Sequence, residues 1–529
     1  HSSMSHGNER WFQDTEVAVK NDGTLLGFRT KALDDAGAWL RYVPLGGVNR
    51  AQVTPGMYRW RHIRHEFTQD ATNKAPVSPN RGYSRMQHLW FTERIIDIVA
   101  QELDLDPVEI RKKNYIRAED MPYETPNGCV YDSGDYAAML DKALELIGWD
   151  ALRAEQKQRR ERNDPVQLGL GISTFTEMCG LAPSRVLGSL DYAAGGWESA
   201  SIRVLATGKV EVVTGASAHG QGHETAFSQI VADRLGVPYE DVEVIHGDTQ
   251  TSAKGMDTYG SRSLTVGGIA IVHAADKVIA KARAIAAHLL EANADDLDFE
   301  AGAFNVKGSP GSSVSMADIA FATFTAHNLP DGVEPSLDSD ATFDPDNFSF
   351  PHGTHLCAVD VDTETGRTTI RKYVCVDDIG VQVNPLIVEG QVHGGLTQGI
   401  AQALYEEAVY DDDGNLTTGT FVDYTLPSAA DLPSFVTERT ETPSTTNPLG
   451  VKGVGEAGTI ASTPAVVNAI VDALRPFGVN DIRMPATPER VWRAVHGGGD
   501  GGRAERGTTA YGGASTPVTD GAGPEGGRL

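Results

Sequence analysis

Apolar and polar residues alternate with a period of two in several stretches of the chain, a pattern typical of half-buried β-strands. Residues 15–33 contain two such stretches joined by Asn-Asp-Gly, which predicts a β-hairpin. Strands and helices that follow each other without regular alternation predict an α+β architecture. Further strands are expected at 201–215, 243–248 and 355–378, and helices at about 86–113, 135–160, 224–236, 264–291, 395–407 and 464–475.

Composition divides the chain into three segments. A charged run at the end of the second predicted helix indicates an exposed connector, so we place a domain boundary near residue 165. Residues 1–165 and 166–496 are expected to form two mixed α/β subdomains. Residues 497–529 are rich in Gly, Thr and Ser, which predicts a disordered tail.

The 529-residue chain has a formal charge of −27, and only about a third of its 45 basic residues are lysine. Such a surface favours solubility in concentrated salt, so a halophile-like adaptation is one interpretation and an ordinary acidic protein the other. No stripe of clustered Lys and Arg is present, which disfavours nucleic acid as a partner. No segment reaches 18 uncharged apolar residues, which disfavours a membrane span.

Four cysteines are scattered along the chain and form no CxxC pair. This spacing disfavours a zinc site, an iron–sulfur site or a dense disulfide framework in these residues. We therefore expect a reducing, cytoplasmic location. The N-terminus lacks the features of a signal peptide and does not begin with Met, as expected of a fragment, a processed chain or a split gene product.

Four glycine-rich segments lead into predicted helices, at 219–225, 259–263, 390–395 and 450–458. The N–H groups at a helix N-terminus favour anions, and glycine lets the backbone approach a ligand closely. A single segment of this kind is more often a structural capping turn. Four of them, each containing Gln, Arg or Glu, favour one large phosphorylated ligand.

The fourth segment matches GxGxxG between Gly453 and Gly458. The residues before it are rich in Pro and Thr and do not form the strand that a dinucleotide-binding turn requires. The chain also has no P-loop motif. Glu456 lies within this loop between Gly455 and Ala457, where a carboxylate would be poorly solvated and suited to act as a base. A capping role for Glu456 is the alternative.

With these motifs, the chain resembles the molybdenum hydroxylases of the xanthine dehydrogenase, aldehyde oxidase and aerobic carbon monoxide dehydrogenase family. The resemblance runs from residue 8 to about 495, and the motifs occur in the family order. Its segments are NRGYSRMQHLWFTER, DPVEIRKKN, HGQGHETAFSQIVADRLGVPYEDVEVIHGDT, TYGSRS, GQVHGGLTQGIAQAL, DYTLPSAADLP, GVKGVGEAG and MPATPERVW.

The resemblance implies the fold of the molybdopterin-binding part of a large subunit and a molybdopterin cofactor, in bacteria usually its cytosine dinucleotide. The dithiolene of the cofactor, not the protein, would bind molybdenum. Glu456 would be the general base of a reaction that takes its oxygen from water, and Gln221 would lie near the metal. Gly220, Gly222, His223, Gly453 and Gly455 would line the cofactor. Its phosphate or pterin would be held by Ser261, Arg262, Ser263, Gln391 and Arg111.

Two positions bear on the substrate. Arg81 matches an arginine of one wall of the active site, where it could orient a substrate, although a structural salt bridge is the alternative. Gly82 stands where true carbon monoxide dehydrogenases carry the cysteine that bridges to copper. That route to carbon monoxide oxidation is therefore disfavoured, and an aldehyde or an N-heterocycle is the expected substrate.

The family further implies partner subunits that carry two [2Fe–2S] clusters and FAD, arranged as a dimer of heterotrimers. Family large subunits begin with a domain that this chain does not contain, so we expect a separate or missing N-terminal part. The alternatives are a truncated, catalytically silent homologue or assembly subunit, and a carbon monoxide dehydrogenase-like protein without the copper-bridging cysteine.

Overall fold

The fold is described from a computed structural model. The structure describes residues 11–39, 53–180, 183–189, 192–251 and 254–497. Residues 498–529, nearly all of the predicted tail, lie outside the described residues, so its predicted disorder stays a prediction.

The chain begins with a three-stranded sheet that contains the predicted hairpin. Strands β1 (Trp11–Val19) and β2 (Leu25–Gly37) pair in antiparallel fashion, and Gly23 adopts φ 81° in the turn between them. Strand β3 (His62–Ala71) pairs parallel to β2. The hairpin prediction is therefore confirmed.

Each of the first two predicted helices is interrupted. The first is divided into α1 (Arg85–Glu102) and α2 (Pro107–Asn114), because the Asp106 carboxylate caps a new helix by accepting from the N–H of Val108 at 2.7 Å. The hairpin of β4 (Tyr123–Glu124) and β5 (Val130–Tyr131) follows. The second is divided into α3 (Tyr136–Ile147) and α4 (Trp149–Glu161) by Gly148, which has φ 76°.

Residues 198–343 build a second sheet, with strand order β13-β7-β8-β9. Two helices, α6 and α7, cover it, and a six-residue π-helical turn at Ser263–Gly268 leads into α7. A small sheet, β10-β11-β12, packs with α8 at its side. Strand β6 (Val166–Thr176) and helix α5 (Ser184–Ser189) precede this region. Its strands are β7 (Glu198–Val204), β8 (Val210–Thr214), β9 (Val242–Ile245), β10 (Leu297–Glu300), β11 (Ala303–Val306), β12 (Ser309–Ser315) and β13 (Asp338–Phe343). Its helices are α6 (His223–Leu235), α7 (Ile269–Leu289) and α8 (Met316–Thr325).

The third sheet is the centre of the molecule and has the order β16-β15-β14-β6. Because side chains alternate along a strand, Leu356 packs towards α3 and α4 while its neighbour Cys357 packs towards the opposite helices. The last elements are β14 (His352–Asp362), β15 (Thr368–Asp378), α9 (Pro385–Leu404), β16 (Phe435–Thr440), α10 (Ala457–Leu474) and α11 (Pro488–His496).

Helices α9 and α10 begin earlier than predicted. The Asn384 side chain caps α9 by accepting from the N–H of Ile387 at 3.0 Å, so residues 390–395 lie inside this helix rather than in a loop before it. Helix α10 includes Pro464 in its interior, not in its first turn. The two helices cross closely, since a Cβ atom on Gly395 would lie 2.9 Å from the Cα of Gly458.

One apolar cluster contains residues from both sides of position 165, and the predicted division into two subdomains there stays a prediction. Helices α3 and α4 share an apolar cluster with β6, β14 and β15, which follow that boundary. Two helical stretches, Ser263–Leu289 and Ala457–Phe477, are apolar and long enough to cross a membrane by composition, but their most apolar windows are 67% and 100% buried within the fold.

Candidate active site

One cavity of about 640 Å³ lies where the N-terminus of α6, the turn before α7, helix α9 and the loop before α10 meet. Ten of the thirteen residues singled out from the sequence line it, although they come from segments far apart in the chain. They are Arg81, Gly220, Gln221, His223, Ser261, Ser263, Gln391, Gly453, Gly455 and Glu456.

The glycine-rich turn before α6 brings backbone groups to the cavity. Gly222 adopts φ 74° at the start of α6, where a Cβ atom would lie 2.7 Å from Ile387. Gln221 accepts from the N–H of His219 and so closes the turn. The Nδ1 atom of His223 lies 3.2 Å from the carbonyl oxygen of Ala216 and must carry the proton, since a carbonyl only accepts. Burial lowers the pKa of His223, which keeps the ring neutral near pH 7.

Arg262 forms a closed structural pair instead of facing the cavity. Its guanidinium and the Glu198 carboxylate are both fully buried and lie 2.9 Å apart. The guanidinium also donates to the carbonyl oxygens of Gly196, Trp197 and Asp257 at 2.9, 2.8 and 2.6 Å. These contacts occupy its donors, so the geometry does not support the predicted role of Arg262 in holding phosphate.

Arg111 is also structural in this fold. It lies fully buried below α1, where it contacts Glu93 at 2.9 Å and Asp97 at 2.7 Å and donates to the carbonyl oxygen of Ile172 at 3.2 Å. The cavity lining does not include Arg111. The expectation that it binds the cofactor is corrected accordingly, because packing between α1, α2 and β6 satisfies this arginine internally.

Arg81 joins two walls of the cavity. Its Nε donates to the carbonyl oxygen of Gly455, and its Nη2 donates at 2.8 Å to both the backbone and the side-chain oxygen of Gln391. Its Nη1 lies 3.4 Å from Oε1 of Gln398. Among the described residues these partners are carbonyl and amide groups, so the salt bridge considered for Arg81 is replaced by a clamp between the Glu456 loop and α9.

Glu456 closes one end of the cavity and is 9% exposed. Its Oε1 accepts from the backbone N–H of Gly82 at 2.9 Å. Its Oε2 lies 3.6 Å from Nη1 of Arg85 and 3.3 Å from the hydroxyl of Ser261. Gly82 can approach because it has φ 85°, a conformation that favours glycine. A carboxylate that accepts these donors and borders a cavity can take up a proton from a bound molecule.

A second carboxyl, Glu177, lies behind Glu456 and was not found from the sequence. Its Oε1 lies 2.7 Å from the Ser261 hydroxyl, within hydrogen-bond distance, and the residue is fully buried at the end of β6. Burial and the neighbouring Glu456 raise the pKa of Glu177 to about 8. One sequence signal could have revealed it, since Glu177 is the sole charged residue between positions 165 and 184. Two carboxyls contact the Ser261 hydroxyl, which disfavours a phosphate there, so of the predicted phosphate or pterin contact only the pterin contact stays a prediction.

The cavity fits a large polar heterocycle. Five residues with amide side chains line it, Gln221, Gln382, Asn384, Gln391 and Gln398, and glycines line it beside them. Amide groups both donate and accept, which suits the hydrogen-bonding edges of a pterin. A Cβ atom on Gly453 would lie 2.7 Å from Sγ of Cys179, so a larger residue would push this wall inward.

Comparison with known proteins identifies the family of this site. A molybdopterin cofactor-binding domain profile matches residues 142–433, and a second profile with this description matches residues 1–115. The chain is 41% identical to the carbon monoxide dehydrogenase large chain of Hydrogenophaga pseudoflava and 36% identical to the nicotine 6-hydroxylase large subunit of Paenarthrobacter nicotinovorans. These alignments cover 92% and 93% of this chain and 60% of each relative.

Solved structures agree with these relatives. A Cu,Mo carbon monoxide dehydrogenase is 36% identical with a TM-score of 0.87, over 92% of this chain and 62% of that one. Quinoline 2-oxidoreductase from Pseudomonas putida 86 is 35% identical with a TM-score of 0.87, over 93% of this chain and 62% of that one. The chain thus spans about 60% of the length of the curated relatives named here. It belongs to the molybdenum hydroxylase family, as a molybdopterin-binding portion of the large subunit.

Proposed function

We propose that this chain provides the cofactor site and the general base of a molybdenum-dependent hydroxylase that oxidises an N-heterocycle or an aldehyde with oxygen from water. The observation that carries the proposal is the Glu456 carboxylate at the end of the amide-lined cavity. Two of the relatives are named for nicotine and quinoline, which are N-heterocycles.

The bound cofactor would be molybdopterin cytosine dinucleotide with molybdenum. It would supply an oxygen nucleophile derived from water and an acceptor for two electrons. Gln391 and Gln398 accept from Arg81 through their side-chain oxygens, which keeps the NH₂ group of each as a donor. These amides, together with Gln221 and the glycines that begin α6, would hold the cofactor.

Glu456 would take up the proton released when the nucleophile is activated. The Gly82 N–H and Arg85 guanidinium stabilise the carboxylate before this step and fix the direction of its oxygens. Arg81 would keep the Glu456 loop against α9, so that the base and the cofactor wall keep a constant separation. A contact between Arg81 and substrate remains part of the proposal.

A carbon monoxide dehydrogenase-like activity is the second candidate, because one relative with that name is 41% identical to this chain. The backbone at Gly82 contacts the general base directly, at the position where the family resemblance expects the copper-bridging cysteine. Glycine has no side chain that could bind copper, so this candidate predicts carbon monoxide oxidation without a copper–thiolate bridge.

We further propose that the chain acts with a subunit carrying two [2Fe–2S] clusters, an FAD subunit and the remaining part of the large subunit, as a dimer of heterotrimers. A cytoplasmic location is proposed because the four cysteines are buried thiols without disulfide bonds. Adaptation to high salt is proposed from the acidic, lysine-poor composition.

The proposal is tested on the assembled enzyme purified with its partner polypeptides. Molybdenum and released CMP should be present in near-equal amounts, and an artificial dye should be reduced when N-heterocycles or aldehydes are added. A metal-free assembly that stays inactive with every partner present would instead identify a catalytically silent homologue. Dye reduction by carbon monoxide alone would favour the second candidate.

A further inference from the structure

The hydroxyl of Ser261 links two carboxyl groups of different exposure. It lies 2.7 Å from Oε1 of Glu177, which is fully buried, and 3.3 Å from Oε2 of Glu456, which borders the cavity. The backbone N–H of Glu456 donates to the same hydroxyl oxygen at 3.1 Å. A serine hydroxyl donates one hydrogen bond and accepts up to two, so it can accept a hydrogen bond from one carboxyl and donate one to the other.

The environment of Glu177 disfavours a second negative charge. Its Oε2 is buried and makes no hydrogen bond to any residue that the structure describes. An ionised carboxylate in such a place pays a large desolvation cost, whereas a protonated carboxyl can donate to the serine oxygen. The charge of Arg85 is directed to Glu456 at 3.6 Å. A single proton on Glu177 therefore resolves the repulsion between the two acids.

We propose that Glu177 is a positioning residue that holds a proton at neutral pH and, by donating to the Ser261 hydroxyl, makes that hydroxyl donate to Glu456. Glu456 then accepts hydrogen bonds from the Gly82 N–H and the Ser261 hydroxyl and forms an ion pair with Arg85. The proposal rests on the role of Glu456 as the base, since Glu177 acts through it and does not line the cavity.

Some groups around Glu177 raise its pKa and others lower it. Burial raises the pKa of Glu177 most and Glu456 raises it further, whereas Arg85 on α1 and the hydrogen bonds with Ser261 and Cys179 lower it. The Cys179 thiol beside it stays protonated, because burial and Glu177 raise its pKa well above the ordinary value. The positive charge of Arg81 also acts on both carboxyls.

Infrared spectroscopy of the full-length chain tests the proposal without cofactor or turnover. The wild type should show the C=O stretch of a buried protonated carboxyl that disappears as the pH rises through about 8. Glu177→Gln should lack this titrating band. Glu406→Gln, which changes a half-buried carboxyl outside the cavity lining, should retain it.

Glu456→Gln gives an independent result in case Glu177→Gln does not fold. Removal of the neighbouring charge should leave the band present and shift its titration to lower pH. Loss of the band in Glu456→Gln, or its persistence in a folded Glu177→Gln, would overturn the proposal. A high activity of the assembled Glu456→Gln enzyme would instead refute the proposed base and leave the infrared assignment intact.

Discussion

Ser261 and Arg262 are neighbours in the chain, yet their side chains belong to opposite kinds of buried polar site. Arg262 pairs with one carboxylate, Glu198, and the backbone N–H of Met256 donates to that carboxylate at 3.1 Å. Ser261 lies between two carboxyls, Glu177 and Glu456. The ion pair at this site is longer, with 3.6 Å between Oε2 of Glu456 and Nη1 of Arg85. The first site is a closed ion pair, whereas the second places two carboxyls around one hydroxyl and borders a cavity.

This contrast indicates how the protein separates stability from chemistry within one turn. The Arg262 guanidinium is paired with a carboxylate and its N–H donors are occupied. It therefore has no favourable alternative arrangement, and it fixes the backbone before α7. Two acids around one hydroxyl have proton states that are close in energy, which is the property that acid–base chemistry requires. Ser261, in the turn between these two sites, has a left-handed backbone with φ 57°.

The largest expected effect is the loss of turnover in Glu456→Gln. Glutamine keeps the shape and can still accept from the Gly82 N–H, but it cannot take up a proton at neutral pH. We expect kcat to fall by about 10²–10⁴-fold, the usual contribution of a general base. Steady-state dye reduction and molybdenum content of the assembled enzyme are the measurements.

The control for this variant is Glu389→Gln, which changes an exposed carboxylate on α9. It should leave both activity and molybdenum content unchanged. Loss of molybdenum in Glu456→Gln, in place of a pure loss of turnover, would make Glu456 a structural residue and remove the contrast with Arg262.

The next effect concerns stability, since Arg262→Ala leaves the buried Glu198 carboxylate without its cation. Breaking one partner of such a pair costs about 3–5 kcal/mol. We expect a clear decrease in the temperature of the first thermal unfolding transition, measured by calorimetry. Arg234→Ala, which breaks an exposed pair with Asp276, should cost at most about 1 kcal/mol. A stable Arg262→Ala protein that lost its cofactor would restore the phosphate-binding role expected from the sequence.

The sequence was sufficient for features that depend on local patterns and on family motifs. The hairpin around Gly23 and helix α6 behind Gly222 follow from turn chemistry and periodicity. The motifs also identified ten residues that line one cavity, because glycine-rich segments before helices can be recognised from their spacing in the chain.

The sequence was insufficient where tertiary partners decide the role of a side chain. Arg111 and Arg262 look like phosphate ligands in isolation, and only the fold supplies the buried acids that occupy them. Residues 390–395 look like a loop because glycine is a poor helix former, but the close crossing with Gly458 requires glycine inside α9. From the sequence, Glu177 looks like an ordinary residue at the end of a strand, because Glu456, which lies near it in the fold, is distant in the chain.

A pH-dependent effect on stability should distinguish Glu177 from the closed pair. Its pKa is raised to about 8 in the fold from an ordinary value of 4.5, so the folded state binds more protons than the unfolded state between these values. The wild type should therefore lose stability relative to Glu177→Gln as the pH rises across this window, by an amount on the order of a few kcal/mol. Unfolding temperatures of both proteins between about pH 5 and pH 9 test this. A constant difference across that range would mean that Glu177 titrates as an ordinary carboxyl.

The smallest expected effect, in Ser261→Ala, tests the link between the two acids. The substitution removes the hydroxyl that contacts Glu177 and Glu456 but leaves the Gly82 and Arg85 contacts of the base in place. A net hydrogen bond contributes about 0.5–1.5 kcal/mol, so kcat should fall about two- to tenfold while KM changes little. Ser228→Ala, which removes a buried hydroxyl near the Val242 carbonyl, should leave kcat unchanged. A fall as large as that of Glu456→Gln would mean that Ser261 itself contacts the reacting atoms, and an unchanged kcat would show that the two carboxyls act independently.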